Sequence, residues 1–349
     1  MIQDNLQVLD LLMKDQQAQQ GIFRPGEYWR PYADRINYYI RKDGLASFRA
    51  HEGIGKGYVD TVTKDPFVSL PLKSKTQLLR RAVSYMPLVD RYVIGQYRKL
   101  INTYLRQVTE LEGKYLLAEN QNLIQKHESF LTRLDTVAGD PVKYVDYKGH
   151  KIAFSYIEAL GRIENVMAAV DLSKKTSFME VGGGFGANTH LMLSMFPNIK
   201  TCIYVDLPPM LHVATEYLRH HFGERLMDYA EFKKQQEAGQ VDIEGRLVCV
   251  PPWALEEHLS HSIDLFWNSC SFQEMDSGQI SYYGRWVAKN ASKESADILA
   301  LFYPFNTDER SEKRSLELLS KEGMFFKTLP EDAKSYKDDL VYGLGRISG

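Results

Sequence analysis

The stretch that decides the fold is Phe178-Met179-Glu180-Val181-Gly182-Gly183-Gly184-Phe185-Gly186. Its apolar start is typical of a short buried strand, and residues 188–195 beyond the glycines carry a helical pattern. Glycines at a strand-to-helix junction permit a tight turn and let the backbone approach a ligand closely. The stretch therefore predicts a ligand-binding turn at the carboxyl end of a strand in an α/β protein.

An acidic residue follows this turn at the next predicted strand end. Asp206 lies 20 residues beyond Gly186 and closes the predicted strand 201–206. An acid at that point accepts hydrogen bonds from the hydroxyls of a ribose, and ligands of open α/β sheets lie beyond the carboxyl ends of the strands. Turn and acid together predict a site for a cofactor that contains a nucleoside.

Two kinds of cofactor fit these residues. Gly182-x-Gly184-x-x-Ala187 matches the fingerprint of nicotinamide cofactors, which keeps an NAD-dependent oxidoreductase open as an alternative. Glu180, two residues before the first glycine, favours S-adenosyl-L-methionine instead. The sulfonium and ammonium groups of that cofactor are positive, whereas a pyrophosphate is repelled by a nearby carboxylate. We therefore expect S-adenosyl-L-methionine.

Strands and helices alternate over the second part of the chain. Predicted strands span 177–181, 201–206, 246–250, 263–268, 297–302, 324–328 and 340–346, and predicted helices span 155–170, 188–195, 210–222, 279–289 and 310–321. Near-continuous apolar strands between helices indicate a parallel, doubly wound sheet. We predict a Rossmann-like α/β domain over residues 141–349.

The first 140 residues carry helical periodicity instead. Apolar residues at gaps of three and four from Leu78 to Leu111 predict a long helix that Pro87 interrupts. A further helix is expected over Ala118–Leu134, and Ala138-Gly139-Asp140-Pro141 indicates a linker. We predict a helical N-terminal domain, residues 1–140, that covers the substrate or forms a homodimer through the long helix.

Composition narrows the class of partner. Lys and Arg number 43 and Asp and Glu 45, so the net charge of −2 does not favour nucleic acid or an anionic membrane. No apolar run approaches the ~18–20 residues of a membrane span, and the start of the chain lacks the features of a secretion signal. Cys202, Cys249 and Cys270 are expected to be small buried residues in a reducing cytoplasm. We expect a cytoplasmic protein that acts on a small molecule, with no nucleic-acid or membrane partner.

Three segments carry a family resemblance. They are Glu180–Gly186, Val205-Asp206-Leu207-Pro208, and Asp264-Leu265-Phe266-Trp267-Asn268-Ser269-Cys270-Ser271-Phe272-Gln273-Glu274-Met275. The sequence resembles the sugar O-methyltransferase family of class I S-adenosylmethionine-dependent methyltransferases, most clearly over Ser155–Phe305. The resemblance implies a seven-stranded sheet whose last strand is antiparallel and methyl transfer to a hydroxyl. It also implies a bacterial setting of surface-glycan or natural-product biosynthesis.

The resemblance also implies which residues hold the cofactor. These are Glu180 facing the methionine end, Gly182, Gly184 and Gly186 in the loop, Asp206 and Leu207 at the ribose and adenine, Pro252 and Trp253 near the adenine, and Asn268 and Ser269 near the methionine and the methyl group.

A sugar hydroxyl is a poor nucleophile at neutral pH, and a general base accelerates its reaction by ~10²–10⁴-fold. Related plant phenol methyltransferases place a His-Asp pair just after the fourth strand, where this sequence has Gln273-Glu274. The histidine is therefore absent. We predict Glu274 as the base and Gln273 as a residue that orients the hydroxyl, with no metal ion.

The acceptor is expected to be a sugar or a glycosylated natural product. Predicted acceptor-binding residues are Tyr28, Trp29, Tyr156 and Ser271. Aromatic faces stack on rings, although they are also common in protein cores. Two alternatives to O-methyl transfer stay open beside the oxidoreductase: an N- or C-methyltransferase of a non-sugar secondary metabolite, and a binding protein without catalysis.

Overall fold

The computed structural model describes residues 2–51, 53–54, 110–255, 259, 262–292, 295–304, 312–336 and 338–347. The predicted long helix, except for residues 110 and 111, lies outside the described residues, and with it the segment expected to form a homodimer. Among the helices that are described, none has the length and apolar character needed to cross a membrane.

The helices and strands alternate through most of the described chain. The helices are α1 (Leu6–Ala18), α2 (Arg30–Asp43), α3 (Gln121–Lys126), α4 (Glu128–Leu131), α5 (Phe154–Met167), α6 (Ala187–Met195), α7 (Pro208–Phe222), α8 (Tyr229–Glu237), α9 (Ser277–Asn290) and α10 (Glu312–Lys321). The strands are β1 (Tyr144–Tyr147), β2 (His150–Ala153), β3 (Ser177–Val181), β4 (Thr201–Val205), β5 (Leu226–Met227), β6 (Leu247–Val250), β7 (Leu265–Ser269), β8 (Asp297–Phe302), β9 (Met324–Thr328) and β10 (Val341–Ile347).

One mixed sheet of eight strands forms the centre of the larger compact unit. Its order is β5-β6-β4-β3-β7-β8-β10-β9, and β10 is antiparallel to both of its neighbours. The remaining pairs are parallel. The predicted fold class, a Rossmann-like α/β domain with a mostly parallel sheet, is confirmed. The sheet has one strand more than the seven expected, because the two-residue strand β5 adds to its edge.

The burial of the central strands explains why their positions could be predicted from apolar runs in the sequence. Every residue of β3, β4 and β8 is buried, so both faces of these strands pack against protein and most of their residues are apolar. The register places Val181 between Val205 and Asn268, and Ser269 opposite Leu301. The carboxyl ends of four parallel strands therefore meet at one edge of the sheet.

The N-terminal residues belong to the same compact unit as the sheet. Contacts divide the chain into Met1–Phe48 with Ser155–Gly349, and Arg49–Phe154. Asp4 accepts from His212 of α7 at 2.8 Å, and Asp15 accepts from Tyr229 and Lys233 of α8 at 2.8 and 2.6 Å. These bonds fasten α1 to the sheet-bearing unit. The division into domains of residues 1–140 and 141–349 stays a prediction.

The second unit, Arg49–Phe154, contains a β-hairpin that the sequence analysis did not predict. Strands β1 and β2 pair from Tyr144–Ala153 to Tyr147–His150, and Lys148 and Gly149 have φ values of +52° and +82°. Two residues of positive φ form the turn type that matches strand twist. The helix expected over 118–134 is divided at Asn120 and His127, whose dihedral angles are not helical.

Candidate functional site

The glycine turn leaves β3 in a conformation that side chains disfavour. Gly182, Gly184 and Gly186 have φ values of +70°, +66° and +91°. A Cβ on Gly182 would lie 2.2 Å from Oγ of Ser271, and one on Gly183 would lie 2.6 Å from Cδ of Glu180. The turn is thus packed between the Glu180 side chain and the segment that follows β7.

Glu180 lies beneath this turn and fills the amino-terminal end of α6. Its carboxylate accepts from Asn188 Nδ2 at 2.9 Å and from the Thr189 hydroxyl, and the Thr189 backbone N–H also donates to it. The side chain is 1% exposed, and burial raises its pKa to about 7 against the lowering effect of these donors. The end of the helix where an anion would bind is therefore occupied by the chain's own carboxylate.

Asp206 is held beside the glycine turn at the end of β4. Its carboxylate accepts from the N–H groups of Leu207 at 2.7 Å and Gly184 at 3.1 Å, and the Tyr204 hydroxyl lies 3.4 Å away. Burial, with a further contribution from Glu180, raises its pKa to about 7. Leu207 is half-buried at the start of α7. The predicted ribose acid thus stands next to the predicted cofactor loop.

Neither acid has a basic partner in the part of the chain that the structure describes. No Lys or Arg of those residues forms an ion pair with Glu180 or Asp206. Burial raises the pKa of both carboxyl groups, and Glu180 raises that of Asp206 further, so this site favours a cationic ligand. The negative potential of these carboxylates would repel an anionic ligand such as a pyrophosphate.

The turn after β7 is built on Asn268. Its buried amide donates to the Val181 carbonyl at 2.9 Å and to the Ser271 hydroxyl at 2.5 Å, and accepts from Phe272 N–H at 3.1 Å. Cys270 adopts φ +66°, an uncommon value for a residue other than glycine. The polar atoms of Asn268 therefore join β3 to β7. Ser269 is half-buried at the strand end.

Ser271 and Gln273 serve the backbone of the site. The Ser271 hydroxyl donates to the Val181 carbonyl at 3.2 Å and faces Gly182. Gln273 is buried and bonds the backbone of Tyr303, which follows β8. Both polar atoms of the Gln273 amide thus have backbone partners, and the expectation that Gln273 orients a substrate hydroxyl stays a prediction. The role of Ser271 in acceptor binding stays a prediction.

Glu274 meets the N-terminal region of the chain. The indole N–H of Trp29 donates to its Oε2 at 2.9 Å, across 245 positions of sequence. Trp29 lies in a cluster of three half-buried rings with Tyr28 and Tyr32, at centroid distances of 5.5–5.8 Å. The structure therefore brings together the predicted base and two of the predicted acceptor-binding residues.

Tyr156 is not part of this cluster. It is fully buried in α5, and its hydroxyl is shared with Nδ1 of His190 and the hydroxyl of Tyr217. His190 in turn stacks on His221 at 3.6 Å. A buried hydroxyl with two protein partners offers a substrate little surface, and the binding of the acceptor by Tyr156 stays a prediction.

The predicted adenine segment follows β6. Pro252 is buried and its carbonyl accepts from the Tyr282 hydroxyl at 2.7 Å, while Trp253 is half-buried and donates to the Tyr229 hydroxyl at 3.1 Å. These bonds tie the segment to α9 and α8. The structure thus fixes its place after the strand, and its contact with an adenine stays a prediction.

Several residues of the site escaped the sequence analysis. Asn188 and Thr189 hold Glu180, and their place in the first turn of a helix after a glycine loop is a capping signal. Tyr204 donates to the Gly184 carbonyl at 2.7 Å. Its spacing of two from Asp206 on a strand puts both on one face. Gln279 forms a capping box with Asp276, which is a local signal, but its bonds to the carbonyls of Ile22 and Arg24 had none.

Comparison with known proteins agrees with one part of this site. A family model described as an O-methyltransferase domain matches residues 157–233, which include the glycine turn and Asp206 but not Glu274. The match covers less than half of the chain. No curated protein sequence matches the chain.

Solved structures resemble the chain weakly. They include the mitomycin 7-O-methyltransferase (18% identity, 56% of this chain, 55% of that chain, TM-score 0.38) and human N-acetylserotonin methyltransferase with S-adenosylmethionine (18%, 54%, 52%, 0.37). A third is an O-methyltransferase of neocarzinostatin biosynthesis with S-adenosylmethionine and a naphthoic acid (16%, 55%, 56%, 0.35). The chain thus matches about half the length of each protein. At these identities and TM-scores, the activities of those proteins are not transferred to this chain.

Proposed function

We propose that the protein is an S-adenosyl-L-methionine-dependent O-methyltransferase. The observation that carries the proposal is the acid pair at the glycine turn. Glu180 occupies the N-terminus of α6, Asp206 lies beside Gly184, and no described Lys or Arg pairs with either. This arrangement is complementary to a nucleoside that carries sulfonium and ammonium charges. It opposes the pyrophosphate of NAD, so the oxidoreductase alternative is not favoured.

The residues present fit that cofactor in three ways. The carboxylate of Asp206 would accept from ribose hydroxyls, and the glycines would admit the backbone close to the ligand. Glu180 is buried, so little of its side chain could contact the cofactor. Its negative charge would instead attract the positively charged methionine end across the glycine turn. Pro252, Trp253, Leu207, Asn268 and Ser269 would frame the remaining surface.

Methyl transfer is an in-line displacement, for which the bound cofactor supplies an electrophilic methyl group. The protein has to align the acceptor oxygen and accept its proton. Glu274 is the residue we assign to the proton, because its carboxylate is held half-buried after β7, at the ligand-binding edge of the sheet. Gln273 and Asn268 support Glu274 indirectly, because their hydrogen bonds fix the turn that carries it.

We further propose a hydroxyl of a sugar or glycosylated metabolite as the acceptor. The rings of Tyr28, Trp29 and Tyr32 stand beside Glu274 and are half-buried. Aromatic faces pack on the apolar side of a sugar ring, while a carboxylate accepts from its hydroxyls. Three buried thiols without a disulfide bond agree with the cytoplasmic setting that we propose.

Calorimetric titration tests the cofactor. We expect micromolar binding of S-adenosylhomocysteine to the full chain and none of NAD. Binding of NAD instead would overturn the proposal.

Transfer of a labelled methyl group from S-adenosylmethionine tests the acceptor. The panel would contain free sugars, a glycosylated aromatic compound, its aglycone and an arylamine. Labelling that requires the sugar, and that Glu274→Gln lowers by about 10²-fold or more, is the expected result. Labelling of the aglycone or the amine would contradict the acceptor class while retaining the methyltransferase.

A further inference from the structure

We propose that Trp29 is a positioning residue for Glu274. Its indole N–H orients the carboxylate and stabilises its ionised form, so the N-terminal segment completes the general-base site. This inference rests on the proposed function, because it concerns the residue that would accept the acceptor's proton. It also differs from the expected role of Trp29 as a stacking surface alone.

The contact itself has the geometry of a strong hydrogen bond. Trp29 Nε1 lies 2.9 Å from Oε2 of Glu274. An indole N–H is a donor only, so it favours the carboxylate over the protonated acid. A bond with one ionised partner is about twice as strong as a neutral one. Trp29 therefore biases both the direction and the charge of Glu274.

One side chain of α9 fastens the two halves of this contact together. Gln279 donates from Nε2 to the carbonyls of Ile22 at 3.0 Å and Arg24 at 3.1 Å, ahead of Trp29 in the chain. Its Oε1 accepts from the Asp276 N–H at 3.0 Å, two residues after Glu274. The amide of Gln279 thus ties the segment that leads to Trp29 to the cap of the helix that follows Glu274.

Ring packing adds to this anchorage. Phe23 meets Tyr282 of α9 edge-on, at a centroid distance of 5.2 Å. The indole of Trp29 is held between Tyr28 at 5.7 Å and Tyr32 at 5.8 Å. Both contacts of the indole are edge-to-face, so the packing of the segment helps to set the direction of the N–H.

The charge on Glu274 depends on every group around it. Among the described residues, the titratable and charged groups on the elements near Glu274 include Cys270 and Asp276 on its own segment, Arg314 of α10, which donates to the Met275 carbonyl at 2.5 Å, Tyr303 after β8, and Tyr28 and Tyr32 beside Trp29. A positive charge near a carboxylate favours its ionised form, and a negative charge opposes it. Because Trp29→Phe changes none of these groups, its effect isolates the indole N–H.

The first test is the indole N–H signal in a ¹⁵N-tryptophan-labelled sample of the full chain, followed from pH 4 to pH 8. Trp29→Phe identifies the signal among the four tryptophans. We expect a titration of the Trp29 signal that is lost in Glu274→Gln. A signal that is insensitive to pH, or that titrates equally in Glu274→Gln, would overturn the inference. This readout needs no methyl transfer, so it stands apart from the proposed function.

The second test is the pH profile of kcat with the acceptor found above. Trp29→Phe keeps an aromatic ring and removes the donor, so we expect the acidic limb to move up by about 0.5–1 pH unit and kcat to fall roughly tenfold. Tyr38→Phe, an exposed ring on α2, is the matched control and should leave the limb in place. A changed KM with an unmoved limb would mean that Trp29 only stacks on the acceptor. Absence of any turnover in the wild type would count against the proposed function instead.

Discussion

The side-chain amide of Gln273 pairs with the backbone of Tyr303 as a neighbouring strand would. Nε2 donates to the Tyr303 carbonyl and Oε1 accepts from the Tyr303 N–H, both at 2.7 Å. These two bonds join the turn after β7 to the end of β8, 30 residues later in the chain. Glu274 is the next residue, so its place at the sheet edge depends on this pair.

Gln273→Leu should therefore destabilise the protein by about 1–3 kcal/mol, because two backbone groups lose their partners. Turnover should fall as well, with affinity for S-adenosylhomocysteine retained. Urea unfolding followed by circular dichroism, together with calorimetry, measures both quantities. Gln125→Leu, at an exposed position of α3, is the control. Unchanged stability with a raised KM for the acceptor would support the prediction that Gln273 orients a substrate hydroxyl.

Asp206→Asn separates ligand binding from folding. The amide loses the charge and keeps one acceptor oxygen, so either the Gly184 N–H or the Leu207 N–H, which bond to different carboxylate oxygens, loses its acceptor. We expect affinity for S-adenosylhomocysteine to drop at least tenfold, about 1.4 kcal/mol. Stability at pH 8 should change little, because the relief of burying an ionised acid is offset by the cost, about 1–3 kcal/mol, of one N–H that loses its acceptor. The exposed Asp332→Asn controls for net charge, and equal affinities in the two variants would contradict the assignment.

Stability of the ligand-free protein should fall as the pH rises from about 4.5 to about 7. Burial raises the pKa of Glu180 to about 7, whereas glutamate in an unfolded chain titrates near pH 4.3. The native state thus binds more protons than the unfolded state in this window, and the free energy of unfolding decreases with pH. Glu180→Gln should remove a share on the order of 1–3 kcal/mol of that decrease.

Urea unfolding at pH 5.5 and pH 8 measures this difference in both proteins. The difference between the two slopes belongs to Glu180 and to its effect on Asp206, whose pKa Glu180 raises further. Identical slopes would mean that Glu180 is not protonated in the native state near neutral pH.

Tyr156→Phe tests whether the Tyr156 hydroxyl stabilises the fold or binds the acceptor. The variant keeps the buried ring and removes the hydroxyl shared by His190 and Tyr217. We expect a loss of about 1–3 kcal/mol of stability, with the acceptor KM unchanged. Thermal unfolding and initial rates check the two parts. A raised KM for the acceptor with unchanged stability would instead support the prediction that Tyr156 binds the acceptor.

Most of the sheet could be predicted from the sequence, because strands buried on both faces are continuous apolar runs. Residues 297–302 and 324–328 were predicted with the bounds observed. The hairpin at Lys148 and Gly149 was missed, because its strands are half polar and carry no such run. The cofactor half of the candidate site was also accessible, since Gly182 to Gly186 and Asp206 sit at the ends of adjacent predicted strands.

The sequence by itself therefore determined the α/β class, the glycine turn and the acid after the next strand, because backbone conformation and strand burial are local properties that a short pattern records. Only the tertiary structure decided that Trp29 bonds Glu274, that Gln273 serves Tyr303, and that Tyr156 is buried with His190. Each of those roles depends on which polar group of a distant segment needs a partner. No spacing within one segment encodes that need, since it arises only when the segments pack.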